Sequence, residues 1–199
     1  MKNEPYHFFL SISASSLINP LMRRYTFLTH HLTEISRWTK EPHITILGFN
    51  SYIEPSVIKA VLSETLLSYR IAPLCATIDG CAGHGTTQMN CLLINREDAR
   101  VLRQLRKRLS SAILPYVAHR GTFKKYLNYL FPIFHIAIGK TMSPANLETL
   151  ASTLRGKSIE TDSLTLEVRK GKTVLQETSL YLGMEEDVRA EYRVVYSTH

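Results

Sequence analysis

Two short segments, His43-Ile44-Thr45-Ile46 and His135-Ile136-Ala137-Ile138, each place a histidine at the head of an apolar, β-branched run. Imidazole titrates near pH 6.5, so two histidines brought to one site can be held one neutral and one protonated at neutral pH. Such a pair takes a proton from an attacking oxygen and returns one to a leaving oxygen, which is what in-line displacement at phosphorus requires. Thr45 shares a strand face with His43, about 6.5–7 Å further along, within reach of an oxygen on the same phosphate. The matching position of the second segment is Ala137, which has no hydroxyl to offer. A single His-x-Thr is common by chance, and His31-Leu32-Thr33 is one such case, because helical spacing throws its two side chains apart. The repeated strand context of His43 and His135 is the informative part.

The surrounding pattern supplies elements to position these residues. Residues 7–13 begin apolar and then alternate, as a first strand with one covered face does. From Pro20 to Trp38, Leu21, Tyr25, Leu28, Leu32 and Ile35 recur at helical spacing. Residues 43–49 read as a strand with Ile44 and Ile46 on one face and His43, Thr45 and Leu47 on the other. A helix opens at Pro55 and carries Val57, Ile58, Val61, Leu62 and Leu66. Residues 75–78 and 89–94 form a hairpin around a wide Gly-containing loop that holds His84. Residues 97–114 form a helix with an apolar stripe and a basic side bearing Arg100, Arg103, Arg106, Lys107 and Arg108, read as a solvated outer face. After the strand at His135, Ser143-Pro144 starts a helix that ends before Gly156, and Lys170-Gly171-Lys172 turns a terminal hairpin of residues 164–168 and 173–182.

The predicted architecture is α+β, with seven or eight strands and four helices in two comparable halves, each presenting one histidine-headed strand. At 199 residues the chain fits one domain, assigned to 1–183, with 184–199 as a C-terminal tail or added strand. Three cysteines without paired spacing argue against a disulfide framework or a zinc site and point to a reducing, cytoplasmic setting. No apolar run approaches the roughly 20 residues of a membrane span. A formal net charge of +7 favours an anionic partner.

With its two motifs in SRWTKEPHITILGF and FPIFHIAIG, the sequence resembles the 2H phosphoesterase superfamily, the LigT-like group, over roughly residues 6–183. That resemblance implies two pseudo-symmetric lobes whose antiparallel sheets enclose a central cleft, with helices outside and both histidines facing one phosphate. It implies His43 and His135 as the catalytic pair, provisionally with His135 as base and His43 as acid, and Thr45 as a substrate contact. No metal and no cofactor are expected, and no protein partner is evident. The family's second motif normally carries Thr or Ser where this chain has Ala137. The loss of one hydrogen bond to a charged group is about 1.5–3 kcal/mol. Compensation is expected from a segment just ahead of the second motif, with Lys124, Tyr126 and Tyr129 as candidate substrate contacts. Trp38 and Phe49 flank the first motif, with core packing the favoured fate of each.

The implied activity is hydrolysis or transesterification of a nucleotide phosphodiester. The leading substrates are 2′-linked: a 2′,5′-oligoadenylate or a cyclic dinucleotide such as 2′,3′-cGAMP, whose cleavage counteracts nucleotide immune signalling. The alternatives are a phosphodiesterase of RNA 2′,3′-cyclic ends or another RNA-end processing enzyme, and a catalytically silent nucleotide binder.

Overall fold

The computed structural model describes residues 4–24, 41–69, 73–84, 89–130, 134–139 and 144–183. The elements run β1 (Tyr6–Ser13), α1 (Ser15–Arg24), β2 (His43–Ser51), α2 (Pro55–Leu67), β3 (Leu74–His84), β4 (Met89–Ile94), α3 (Arg96–Ile113) and a 3-10 turn at Leu114–Tyr116. They continue with α4 (Arg120–Leu130), β5 (His135–Gly139), α5 (Pro144–Leu154), β6 (Ser158–Thr161), β7 (Ser163–Lys170) and β8 (Thr173–Tyr181).

The eight strands form one sheet in the order β6-β3-β4-β5-β2-β1-β7-β8, and every pairing is antiparallel. The order divides the sheet into two groups of four strands that meet where β5 lies beside β2. The two histidine-headed strands are therefore the seam of an α+β fold with two comparable halves, as expected.

Alternation along each strand sends apolar side chains to one face. Leu10 and Ile12 of β1, Ile44 and Ile46 of β2, Leu92 of β4, Ile136 and Ile138 of β5 and Leu164 and Leu166 of β7 pack in one core with Ile58, Leu62 and Leu66 of α2, Leu102, Leu105 and Leu109 of α3 and Leu150 and Leu154 of α5. Each such side chain contributes about 1.5–3 kcal/mol on full burial. Helix α3 is anchored at its start, where Asn95 Oδ1 accepts from the Asp98 amide at 2.8 Å and Asp98 Oδ2 accepts from the Thr77 amide at 2.7 Å. This fixes the helix against β3 and the core-facing side of the seam. Among the described residues no helix is long and apolar enough to cross a membrane.

Several elements differ from the sequence expectation. The first helix starts at Ser15, ahead of Pro20, because Ile18 is fully buried in the core; its amide and that of Leu17 both donate to the Ala14 carbonyl. Residues 25–40, with Trp38 and the His31-Leu32-Thr33 triplet, lie outside the described residues, as does the tail 184–199. The β3–β4 strands continue through most of the expected wide loop, pairing as far as His84 with Met89. Gly80 and Ala82, which fall in the expected loop, are small residues within a bulged strand, and β6, unforeseen, pairs with the outer edge of β3. The segment ahead of the second motif is a helix, α4. The terminal hairpin turns at Gly171, whose φ of +58° suits glycine.

Candidate functional site

Strands β2 and β5 pair with Ile44 opposite Ile136, and both isoleucines are fully buried on the helix side. Continuing that antiparallel register by one residue each way puts His43 across from Ala137 and Thr45 across from His135, all on the face turned away from the core. The two histidines are thus diagonal neighbours, a relation that sets residues about 7–8 Å apart, close enough for two imidazoles to serve one group between them. The same register extends to the neighbouring strands. One row across the face runs Thr165, Ser11, Thr45, His135, Leu93; the next runs Ser13, His43, Ala137, Cys91.

His43 is half-buried. Its Nδ1 donates to the Glu41 carbonyl at 2.9 Å, and Phe9 meets its ring edge-on with centroids 5.2 Å apart. Burial lowers its pKa from the usual 6.5, against smaller upward contributions from the Glu41 carbonyl and the Glu167 carboxylate. With Nδ1 donating, the neutral ring carries its basic lone pair on Nε2. Cys91 in the same row is a buried thiol, outside any disulfide, whose pKa burial raises to about 12. It stays protonated at neutral pH and is a poor nucleophile.

The face that Thr45 presents is set by a bulge. Leu10 pairs with Leu47 and Ser11 with Thr45, so Ile46 is an extra residue in β2. Leu47 therefore returns to the core, fully buried, and does not share the histidine face as simple alternation predicts. Arg106 of α3 holds the bulge: Nε donates to the Ile46 carbonyl at 2.7 Å and Nη2 to the Thr45 carbonyl at 2.8 Å. Its guanidinium lies 3.8 Å from the centroid of the Phe134 ring, just before His135. Arg106 is 1% exposed, so the reading of it as part of a solvated basic face is corrected. Desolvation lowers its pKa to about 10, and it remains a cation at neutral pH. The signal was present in its spacing: Arg106 falls four residues after Leu102 and three before Leu109, on the apolar stripe itself.

Beyond the bulge the free edge of β2 is covered by the chain that follows α3. The Ala118 amide donates to the Asn50 carbonyl at 2.8 Å and Ser51 Oγ to the Tyr116 carbonyl at 2.6 Å. Here a cavity of about 610 Å³ opens, lined by Phe9, Gly48, Asn50, Phe123 and Tyr126 among others. Glu167 and Arg169 close one side, with Arg169 Nε donating to Glu167 Oε1. His7 and His119, which have no recognisable role in the sequence, also line it. Neither His43 nor His135 does, so the cavity adjoins the histidine pair, through Phe9 and Glu167.

Of the six sequence-predicted site residues, His43, Thr45 and His135 come together. Tyr126 lines the cavity instead, with burial raising its phenol pKa and Arg106 opposing the rise. Lys124 is exposed, two positions or about 200° round α4 from Tyr126, and does not reach the cavity. Tyr129 lies in α4, with its side chain outside the described atoms. Phe49 is buried and stacked on Phe8, with centroids 5.0 Å apart, as core packing requires. Among the described residues no three His, Cys, Asp or Glu side chains are grouped to hold a metal ion.

No protein-family model matches the chain, and no curated protein matches it by sequence. Solved structures do match in fold. E. coli LigT in its apo form superposes with a TM-score of 0.55 at 17% identity, over 89% of this chain and 99% of LigT. TT0787 of Thermus thermophilus gives 0.54 at 15% identity, over 87% and 97%. Usb1 of Kluyveromyces marxianus gives 0.51 at 10% identity, over 90% and 99%. LigT has also been crystallised with phosphate and with ATP, at TM-scores of 0.52 and 0.53 to this chain. With its eight antiparallel strands in two groups of four and its histidine strands at the seam, the chain has the LigT-like 2H phosphoesterase fold.

Proposed function

We propose that this chain is a phosphodiesterase acting on a nucleotide substrate, with His43 and His135 as its acid–base pair. The observation that carries this reading is the diagonal placement of the two histidines on one sheet face, held by the Ile44–Ile136 pairing beneath them. The fold shared with LigT, a protein crystallised with phosphate and ATP, is consistent with it.

The environment of His43 favours the base role for it, the reverse of the provisional sequence assignment. Its pKa is lowered by burial and its Nδ1 is committed as a donor to Glu41, so Nε2 accepts the proton as the O–H bond of a water or ribose hydroxyl breaks and the new O–P bond forms. His135, entering as the imidazolium, gives its proton to the oxygen that leaves as the old P–O bond breaks. Thr45 donates its hydroxyl hydrogen bond to a non-bridging oxygen. The two rings end with exchanged protonation states, and proton exchange with solvent resets them.

The substrate we assign is a 2′-linked phosphodiester, a 2′,5′-oligoadenylate or a cyclic dinucleotide such as 2′,3′-cGAMP, whose cleavage removes a nucleotide immune signal. Turnover of a panel containing both, linear 3′,5′-RNA and 2′,3′-cyclic nucleotides, with EDTA present and His43→Ala as control, tests the assignment. Cleavage of a 2′-linked member that the substitution abolishes supports it; cleavage confined to RNA ends moves the function to RNA-end processing. Ala137 across from His43 favours one second reading, a nucleotide binder without turnover. Tight binding with no cleavage of any panel member selects that reading.

A further inference from the structure

The two halves of the sheet are joined by very little ladder. β5 is held in its own half by pairing with β4, from Asn90–Gly139 to Leu93–His135, and β2 is held in the other by β1, from Tyr6–Ser51 to Ser13–His43. Between β2 and β5, among the described residues, the pairing is Ile44–Ile136 alone. Antiparallel register would next set Thr45 against His135 and Ile46 against Phe134. A guanidinium stands there in place of further pairs. Arg106 donates from Nε to the Ile46 carbonyl at 2.7 Å and from Nη2 to the Thr45 carbonyl at 2.8 Å, while its Cζ lies over the Phe134 ring, 3.8 Å from the centroid.

The side chain that spans the seam comes from a helix fixed on the other side of it. Asp98, eight residues or about 12 Å earlier on α3, accepts from the Thr77 amide of β3 at 2.7 Å. Helix α3 is thus tied to the β5 half at its start and to β2 at Arg106. The guanidinium uses both its edge and its face. Two N–H bonds aim its plane at β2, and stacking sets that plane against Phe134, the residue before His135. An ammonium supplies a point charge and cannot make the whole set of contacts. At 1% exposure Arg106 is closed off from any ligand, so it acts on a group lying over His43, Thr45 and His135 only through the two strands.

We infer that Arg106 is a positioning residue for the two histidines: through α3 it sets how far β2 stands from β5, and so brings His43 and Thr45 within reach of the group that His135 serves. The inference rests on the phosphodiesterase reading for its consequence in turnover. Its geometric half, the spacing of the two rings about one anion, is measurable without turnover. A displacement of about 1 Å at reacting groups costs on the order of a hundredfold in rate, so a strand that drifts when its clasp is removed costs turnover before it costs the fold.

Arg106→Lys and Arg106→Gln in the full chain, compared with the parent at a temperature where circular dichroism shows them folded, test the inference by two readouts. Arg106→Lys, which keeps the charge, carries the test where Arg106→Gln does not fold. Inorganic phosphate is titrated against the ring signals of His43 and His135 by NMR. The parent is expected to move both signals along one binding curve, and the variants to split them into separate, weaker responses. On a phosphodiester that the parent cleaves, the variants are expected to lose kcat on the order of ten- to a hundredfold, more than KM is raised. Variants that keep the single curve and the parental kcat overturn the inference even if they unfold sooner, because Arg106 then only stabilises the fold. Parental behaviour of Arg106→Lys alone also overturns it, since a point charge would then suffice. A parent whose two rings do not respond together to phosphate overturns it whatever the turnover, and cleavage in that chain leaves the phosphodiesterase reading standing. A joint response that the substitutions split, in a chain that cleaves no phosphodiester, sustains the inference while removing that reading.

Discussion

Strand β2 has nine residues, pairs along its length with β1, carries a bulge and has two of its carbonyls held by Arg106. Strand β5 has five residues, meets β2 at Ile44–Ile136, and offers alanine where β2 offers threonine. Both begin with histidine on the same face, yet one is built to hold a hydroxyl in place and the other is not. The difference teaches where, on the proposed reading, the oxygen contacts of a phosphate come from. Ser11, 7% exposed, is paired with Thr45 on the same face, and Thr165 lies beyond it. Among the described residues, the hydroxyls of this face come from the β2–β1–β7 half, while β5 brings the His135 imidazole.

The largest expected effect breaks both sides equally. His43→Ala and His135→Ala are each expected to lower kcat/KM about 10²–10⁴-fold, the usual worth of a positioned acid or base, with thermal stability nearly unchanged. A variant retaining a tenth of the parental rate removes that histidine from the pair. The next effect falls on the β2 side alone. Arg106→Ala strips two buried carbonyls of their donor and opens space beneath Phe134, and is expected to cost about 2–4 kcal/mol of stability by denaturant unfolding. Arg106→Lys, which lacks the planar fork, is expected to recover only part of that.

Equalising the two strands sharpens the contrast. Ala137→Thr supplies the missing hydroxyl across from His43 and is expected to raise kcat/KM about ten- to a hundredfold, the rate equivalent of the 1.5–3 kcal/mol worth of a hydrogen bond to a charged group. Thr45→Ala is expected to lower it by a similar factor. If Ala137→Thr leaves the rate unchanged while Ser11→Ala reduces it, Ser11 already fills the role on the other side.

The smallest effect is the pH response of His43. Burial lowers its pKa below 6.5, so as the base it stays competent below that pH and activity is expected to fall only as pH drops through the lowered value. The same shift has a stability consequence of known sign. Below pH 6.5 an unfolded-chain histidine takes up a proton that the folded one resists, so stability decreases with acid until the pH passes beneath the folded pKa. NMR titration of the His43 ring reads the pKa directly, and a value above 6.5 assigns the acid role to it instead.

The sequence revealed the seam of this fold well because its signals are local and doubled. A histidine ahead of alternating isoleucines reads as a strand wherever it folds, and the second copy supplied the partner. The bulge at Ile46 was not legible, because it depends on Arg106, sixty residues away, reaching carbonyls that no side-chain pattern records. Arg106 itself was misassigned for a related reason. Charge outweighed position in the reading of α3, although its place on the apolar stripe marked it as buried. The cavity was equally hidden, since Phe9, Asn50 and Phe123 come from three elements and have no common spacing. Tyr126 and Lys124 were named together for their proximity in sequence to His135, a criterion that does not register that they stand about 200° apart on helix α4.

The strand order also sets when the site can come into being. β1 lies between β2 and β7, so the row Thr165–Ser11–Thr45 joins residues from the two ends of the described chain. A nascent chain emerging from the ribosome can complete the β3–β4 hairpin early, but the exposed flank of β1 stays unpaired until residue 170 has been made. Loop closure over that separation is slow compared with hairpin formation. Thr165 is thus the last hydroxyl to join the row, and a truncated product lacking β7 leaves β1, one strand away from His43, as an open, association-prone sheet edge.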